Sequence, residues 1–213
     1  LKILIITEAS RSIVFKAADL LNKADKGDIV SQKIFRIITP LIKFRACRDV
    51  RKVAGDAMEI RGGSGYIEDW LDPKILRDSH LGSIWEGTSN LISLDTIRAL
   101  KKDNNLNIFK NFLIDSIKIN SEKKHEKHLL SVIDDVFYFV ENEVKEDFTS
   151  SSRQITTSLY YLSSAIFLIE EGNYCEDLAY RSKISKLIIK YKIDKNSPIT
   201  RDDIDYDLIN NLI

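Results

Sequence analysis

The run GSIWEGTSN, residues 82–90, places one carboxylate, Glu86, in a glycine-flanked turn behind Ile84 and Trp85. Thr88, Ser89 and Asn90 then carry the side chains that favour a helix start. The first N–H groups of a helix lack an intrahelical partner, so they suit carbonyl or phosphate oxygens. A carboxylate held against an apolar wall is pushed up in pKa by desolvation and becomes a stronger base. A second reading stays open on spacing alone: Glu86 merely complements the helix dipole.

Gly62, Gly63 and Gly65 form the other candidate. They follow a long helical pattern and leave its end with a bare backbone that a planar or phosphorylated ligand, or another chain, can approach closely. A plain helix stop explains them equally well. His80 is a lone histidine near the turn. His125 and His128 sit in the Lys/Glu-rich run 123–128, which reads as a solvated face. They lack an acidic partner for a metal, so no metal site is expected. Arg77 and Asp78 read as a structural ion pair. The run 136–140, Val-Phe-Tyr-Phe-Val, reads as core.

Helices must position these groups. The 213 residues include only 3 Pro and 8 Gly, 44% are hydrophobic and 30% charged, which predicts a globular chain of long elements. Apolar residues recur at helical spacing over roughly 2–23, with Val14, Phe15, Ala18 and Leu21 as the buried stripe and Ile13 beside it. A second helix spans about 29–60, with a kink or break expected at Pro40. Residues 61–73 are turns, 72–85 a short helix and loop, and 90–102 another helix. Beyond Lys102 the chain turns rich in Lys, Ile, Asn, Asp and Ser, with helical periodicity over about 106–120, 124–147, 151–171, 174–193 and 201–211. No strand pattern or repeat emerges. The expectation is an all-α antiparallel bundle, 1–102, with an additional C-terminal helical region, 103–213.

The formal net charge is zero, so no global field directs the chain to nucleic acid or an anionic membrane. No apolar run is long enough to cross a bilayer. Cys47 and Cys175 match no metal spacing and read as reduced thiols, which suggests a cytoplasmic location. The chain opens within an amphipathic helical pattern and without an initiator Met, so a piece of a longer protein is expected.

Four runs occur in order: AMEIRGGSGYIED (57–69), LRD (76–78), IWEGTSN (84–90) and IRAL (97–100). Together they resemble the C-terminal helical domain of the acyl-CoA dehydrogenases, over about residues 1–102. The Trp-Glu-Gly-Thr form and the run TPLIKFRAC (39–47) look most like the AidB-like branch, flavoproteins of the alkylation response. The resemblance implies a mechanism in which FAD lies over the acyl chain of a coenzyme A thioester. A glutamate takes the α-proton while the β-hydrogen leaves as hydride. It implies that Glu86 is that base and that its backbone N–H helps polarise the thioester carbonyl. Trp85 and Gly87 would contact the substrate. Gly62, Gly63, Thr88 and Asn90 would contact FAD, the glycine turn reaching the flavin of a neighbouring subunit. An electron-transfer acceptor and a homo-oligomer follow as expected partners.

The chain departs from the family pattern in places. Glu59 stands where Gln is common, and Arg61 is the cation expected to offset it. Lys74 replaces a common Arg, and the family's N-terminal helical and β domains have no counterpart here. The isolated chain is therefore expected to be inactive. Two other readings remain: an AidB-like DNA-binding flavoprotein, less favoured on charge, and a helical oligomerisation module without catalysis.

Overall fold

The structure is a computed structural model and describes residues 1–118, 123–145, 149–174 and 178–194. The described residues are helical, without strands. The helices are α1 (Lys2–Asp25), α2 (Ile29–Ile60), α3 (Gly63–Tyr66), α4 (Asp72–Leu81), α5 (Ser89–Lys101), α6 (Asn105–Lys118), α7 (Lys123–Lys145), α8 (Ser152–Tyr174) and α9 (Leu178–Lys192), with a 3₁₀ turn, Thr149–Ser151, before α8. The expected helix over 201–211 and the expectation for Cys175 lie outside the described residues. Cys47 is a free thiol.

α1 and α2 form an antiparallel pair because only residues 26–28 join them. Gly27 makes the turn at φ +96°. Asp28 caps α2, accepting from the Val30 N–H at 3.0 Å and the Ser31 hydroxyl at 2.6 Å. α2 is the central strut: α1, α4, α5 and α8 all pack on it. That packing carries it through Pro40 without the break the sequence suggested. The Thr39 hydroxyl donates to the Phe35 carbonyl at 2.8 Å beside the proline.

The buried stripe of α1 is a correction. Ile5, Ala9, Ile13, Ala17 and Leu20 face the core, whereas Val14, Phe15 and Leu21 are exposed, Phe15 at 66%. Ala18 is exposed too. α1 carries two apolar stripes at helical spacing, and periodicity cannot say which one meets a neighbour.

One hydrophobic cluster joins α1, α2 and α5 to α6–α9. α8 lies against α1, α2 and α5, with Ile155, Leu159, Leu162 and Ile166 fully buried. Polar anchors fix its register. The Tyr160 hydroxyl meets Ser10 Oγ at 2.8 Å, and the Tyr161 hydroxyl donates to Asp49 Oδ2 at 2.7 Å. Arg45 completes that pair by bonding both Asp49 and Tyr161. Arg11 pairs with Glu8 and Glu171, and Arg181 reaches Glu8 at 2.7 Å. His125 is also a correction: it is 6% exposed and lies 3.3 Å from Ser185 Oγ, whereas His128 is exposed as expected. In the 136–140 run Phe137 and Val140 are buried and Tyr138 is exposed.

Candidate active site

α4 does not stop cleanly at Leu81. The N–H groups of Ser83, Ile84 and Trp85 bond back to the His80 and Leu81 carbonyls, which tightens the chain into a coil. Gly82 presses on α2, where a Cβ would lie 3.1 Å from Cys47 Sγ. The Ser83 hydroxyl donates to the Cys47 carbonyl at 2.9 Å. The turn is thus fastened to the middle of α2 at its first two residues.

The next residues reverse the chain. Glu86 has φ +54° and Gly87 φ +110°. The left-handed region suits Gly87; a glutamate occupies it only at a cost of about 1–2 kcal/mol. Thr88 returns to extended backbone and caps α5 without a side-chain hydrogen bond. α5 begins at Ser89, one residue earlier than the expected 90.

Glu86 opens onto a cleft of about 770 Å³ between α2 and α5, shared with Thr39, Pro40, Lys43, Ile92 and Asp95. Arg36 in its wall is held by Asp95 at 2.7 Å, and Lys33 reaches the Asp103 carbonyl at 3.4 Å. Lys43 lies 5.8 Å from the centre of the Trp85 ring. The cation over its face ties the indole to this turn of α2. Lys43, Pro40 and Thr39 line this cleft; the sequence reading noted them only within the 39–47 run, and the loop folded over their turn of helix brings them to Glu86.

The expected apolar wall around Glu86 is not formed by its sequence neighbours. Ile84 is 65% and Trp85 54% exposed, and Glu86 is itself exposed. Successive side chains fan outward from the tight turn: Gly82 and Ser83 are fastened to α2, and Trp85 meets it at Lys43.

Gly62 and Gly63 are bare: a Cβ on either would meet nothing within 4 Å. Gly62 adopts φ +59° and ψ −139°, a region essentially reserved for glycine. Gly65 is different. A Cβ there would collide with the Met58 carbonyl, so it serves the helix stop. Trp85, Glu86, Gly87, Thr88 and Asn90 come together in one loop and helix start. Gly62 and Gly63 do not join them; fourteen residues of helix separate Arg48, beside Ser89, from Gly62, about 20 Å of rise.

The expected Arg77–Asp78 pair is replaced by an exposed two-pronged bond from Arg77 to Glu68, at 2.7 and 3.1 Å. Arg61 pairs with Asp72 at 3.1 Å and stacks over Trp70. Its charge goes to Asp72 rather than Glu59 because the turn folds α4's first residue back towards it. His80 is exposed. No group of three or more metal-ligating side chains occurs among the described residues.

Residues 1–100 match the family model for the acyl-CoA dehydrogenase C-terminal domain. Over these residues the chain is similar to the C-terminal helical domain of the acyl-CoA dehydrogenases. Among individual proteins the chain is similar to acyl-CoA dehydrogenase family member 11 of Caenorhabditis elegans, 33% identical over 123 residues, which are 57% of this chain and 20% of the relative. It is also similar to AidB of Escherichia coli K12, 33% identical over 95 residues, 45% of this chain and 17% of AidB. The solved structure of C. elegans ACDH-11 in complex with C11-CoA superposes with TM-score 0.75 at 26% identity, covering 90% of this chain and 34% of that one. That coverage extends the likeness well beyond residue 102. The chain spans about a fifth of the length of these curated relatives and about a third of the solved one.

Proposed function

We propose that this chain is the C-terminal part of a flavin-dependent acyl-CoA dehydrogenase homologue, with Glu86 as the base that takes the α-proton of an acyl-CoA thioester. The observation that carries the reading is the left-handed backbone of Glu86 at the head of α5. Nothing in the packing of the turn requires a side chain there, and glycine would fit at lower cost. A strained carboxylate aimed into a cleft is what proton abstraction needs.

The residues present suit FAD in part. The open backbone at Gly62 and Gly63 admits close approach, and the Thr88 hydroxyl is not spent on its own helix. Asn90 is exposed on the same helix start. Bound there, FAD would accept the hydride from the β-carbon. The two sets are about 20 Å apart along α2. One chain would therefore contribute Thr88 and Asn90 to one flavin, and Gly62 and Gly63 to that of a second copy. A homo-oligomer follows.

Glu86 removes the proton, and its backbone N–H, with that of Gly87, polarises the thioester carbonyl. Trp85, steadied by Lys43, bounds the acyl chain. The carboxylate is exposed in this chain alone, so the remainder of a longer polypeptide supplies the dry surroundings and the isolated chain is inactive. An electron-transfer acceptor reoxidises the flavin.

The test is anaerobic titration of the full-length flavoprotein with acyl-CoA esters, followed at the flavin absorbance. Bleaching in wild type and its loss in Glu86→Gln is the expected result. Bleaching that survives in Glu86→Gln would remove the base assignment, and flavin that no thioester bleaches would remove the dehydrogenase reading.

A further inference from the structure

Ser12, Lys16, Asp19 and Lys23 recur every three or four residues along α1, and Phe167, Glu170 and Tyr174 do the same along α8. The two stripes line a cleft of about 460 Å³ where these helices pack together. It shares no lining residue with the cleft at Glu86. A volume of this size is ordinary for a small-molecule site.

The charges around the cleft are matched, with one exception. Asp19 holds Lys23 at 2.8 Å. Glu171 is held by Arg11 and Arg181. Lys16 Nζ meets Glu170 Oε1 at 2.5 Å and lies over the rings of Phe112 and Phe167, 5.4 and 5.7 Å from their centres. The other carboxylate oxygen, Glu170 Oε2, is buried and accepts no hydrogen bond among the described residues. Ser12 Oγ, on the facing helix, is likewise unpartnered among them, in a residue only 3% exposed. Buried polar atoms are normally hydrogen-bonded, and two orphans on one cleft are a cost that a bound donor would remove. Tyr174 stands at the rim, 79% exposed, and presents an aromatic ring to whatever enters.

We propose that this cleft binds a small arylalkylamine, its ammonium shared between Glu170 and Ser12 and its ring between Phe167 in the wall and Tyr174 at the rim. An ammonium carries three donors, enough for the carboxylate, the hydroxyl and a water. The Glu170 side chain is 17% exposed, and rotation about its last torsion exchanges its two oxygens. The incoming ammonium thus joins Lys16 on one carboxylate. A neutral alcohol offers a single weaker donor, and an anionic ligand would meet the Glu170 charge. The rings cover the apolar body, and their negative faces favour a cation, as Lys16 over Phe167 already shows. The inference does not depend on Glu86 being a base.

Isothermal titration of the 213-residue chain with tryptamine at neutral pH tests it, with tryptophol and indole-propionate as the neutral and anionic counterparts. Saturable binding of tryptamine is expected, about tenfold or more tighter than of either counterpart. Glu170→Gln removes the charge and keeps the shape, and should weaken tryptamine to the level of tryptophol. Tyr174 lies outside the core, so Tyr174→Ala keeps the fold and should weaken both ligands. Circular dichroism verifies both variants. Tyr138→Ala, exposed on α7, should leave every Kd as it is. Absence of saturable tryptamine binding, equal binding of the three ligands, or tryptamine affinity unchanged in both Glu170→Gln and Tyr174→Ala would each overturn the proposal.

Discussion

Glu86 sits where glycine would sit more easily. At φ +54° its side chain crowds the backbone, a cost of about 1–2 kcal/mol. Glu86→Gly is therefore expected to raise stability by about 1 kcal/mol, while Glu86→Ala, which keeps a Cβ, gives no such gain. Urea melts of the three proteins check this. A Glu86→Gly protein no more stable than Glu86→Ala would mean the turn is not strained. Gly87 is the opposite case. Its φ is +110°, and an added Cβ would lie only 2.9 Å from Ile92 Cδ1. Gly87→Ala should therefore cost about 1–3 kcal/mol and displace Glu86. A second residue-scale prediction concerns Asp49, 1% exposed between Arg45 and Tyr161. Asp49→Ala leaves the half-buried Arg45 guanidinium without its carboxylate and should cost about 2–3 kcal/mol, read as a fall in the denaturation midpoint.

At the scale of the element, α8 is docked through two buried phenols. Burial is the chief cause that pushes both Tyr160 and Tyr161 far above the ordinary value of 10.0. Their contribution is intact below about pH 10, where both states hold the proton. Above it the unfolded chain loses protons that the folded chain keeps, so stability falls as pH rises, by about 1.4 kcal/mol per pH unit for each tyrosine. Urea denaturation between pH 9 and pH 11 should show this loss, and Tyr160→Phe should flatten its slope. An unchanged slope in that variant would place the alkaline transition elsewhere.

At the scale of the whole molecule, the core does not divide at Lys102. Buried residues of α1, α2 and α5 share one cluster with those of α8 and α9. The chain should melt in a single transition, and residues 1–102 alone should lack cooperative melting by circular dichroism, because α8 supplies the surface that closes their core. Two separate transitions in the whole chain would contradict this. The outer surface is another matter. Ile60, Tyr66, Trp70, Ile84 and Trp85 stay exposed around α3, α4 and the Glu86 loop, with Phe15 exposed on α1. No helix among the described residues is long and apolar enough to cross a membrane. Under the proposed function these apolar residues belong beneath further protein, and light scattering of the chain should report self-association.

Much of this was legible in order along the chain. Helical spacing, scarce proline and the helix-start residues Thr88–Asn90 determined an all-helical fold and most helix ends to within a few residues, because those signals are local. The linked motifs around Gly62–Gly65 and Glu86–Asn90 carried the resemblance to the acyl-CoA dehydrogenases, since they hold residue types that turns and helix starts require. Tertiary structure decided the rest. Which of two apolar stripes on α1 was buried depended on where α2 and α8 lay. His125 was drawn inside by Ser185, sixty residues away. The left-handed backbone at Glu86 came from fastening Gly82 and Ser83 to α2 and still having to start α5 at Ser89. The association of Lys43 with Trp85, and of Arg45 and Asp49 with Tyr161, joins residues far apart in sequence. No local pattern encodes such pairings; they exist only once the helices have packed.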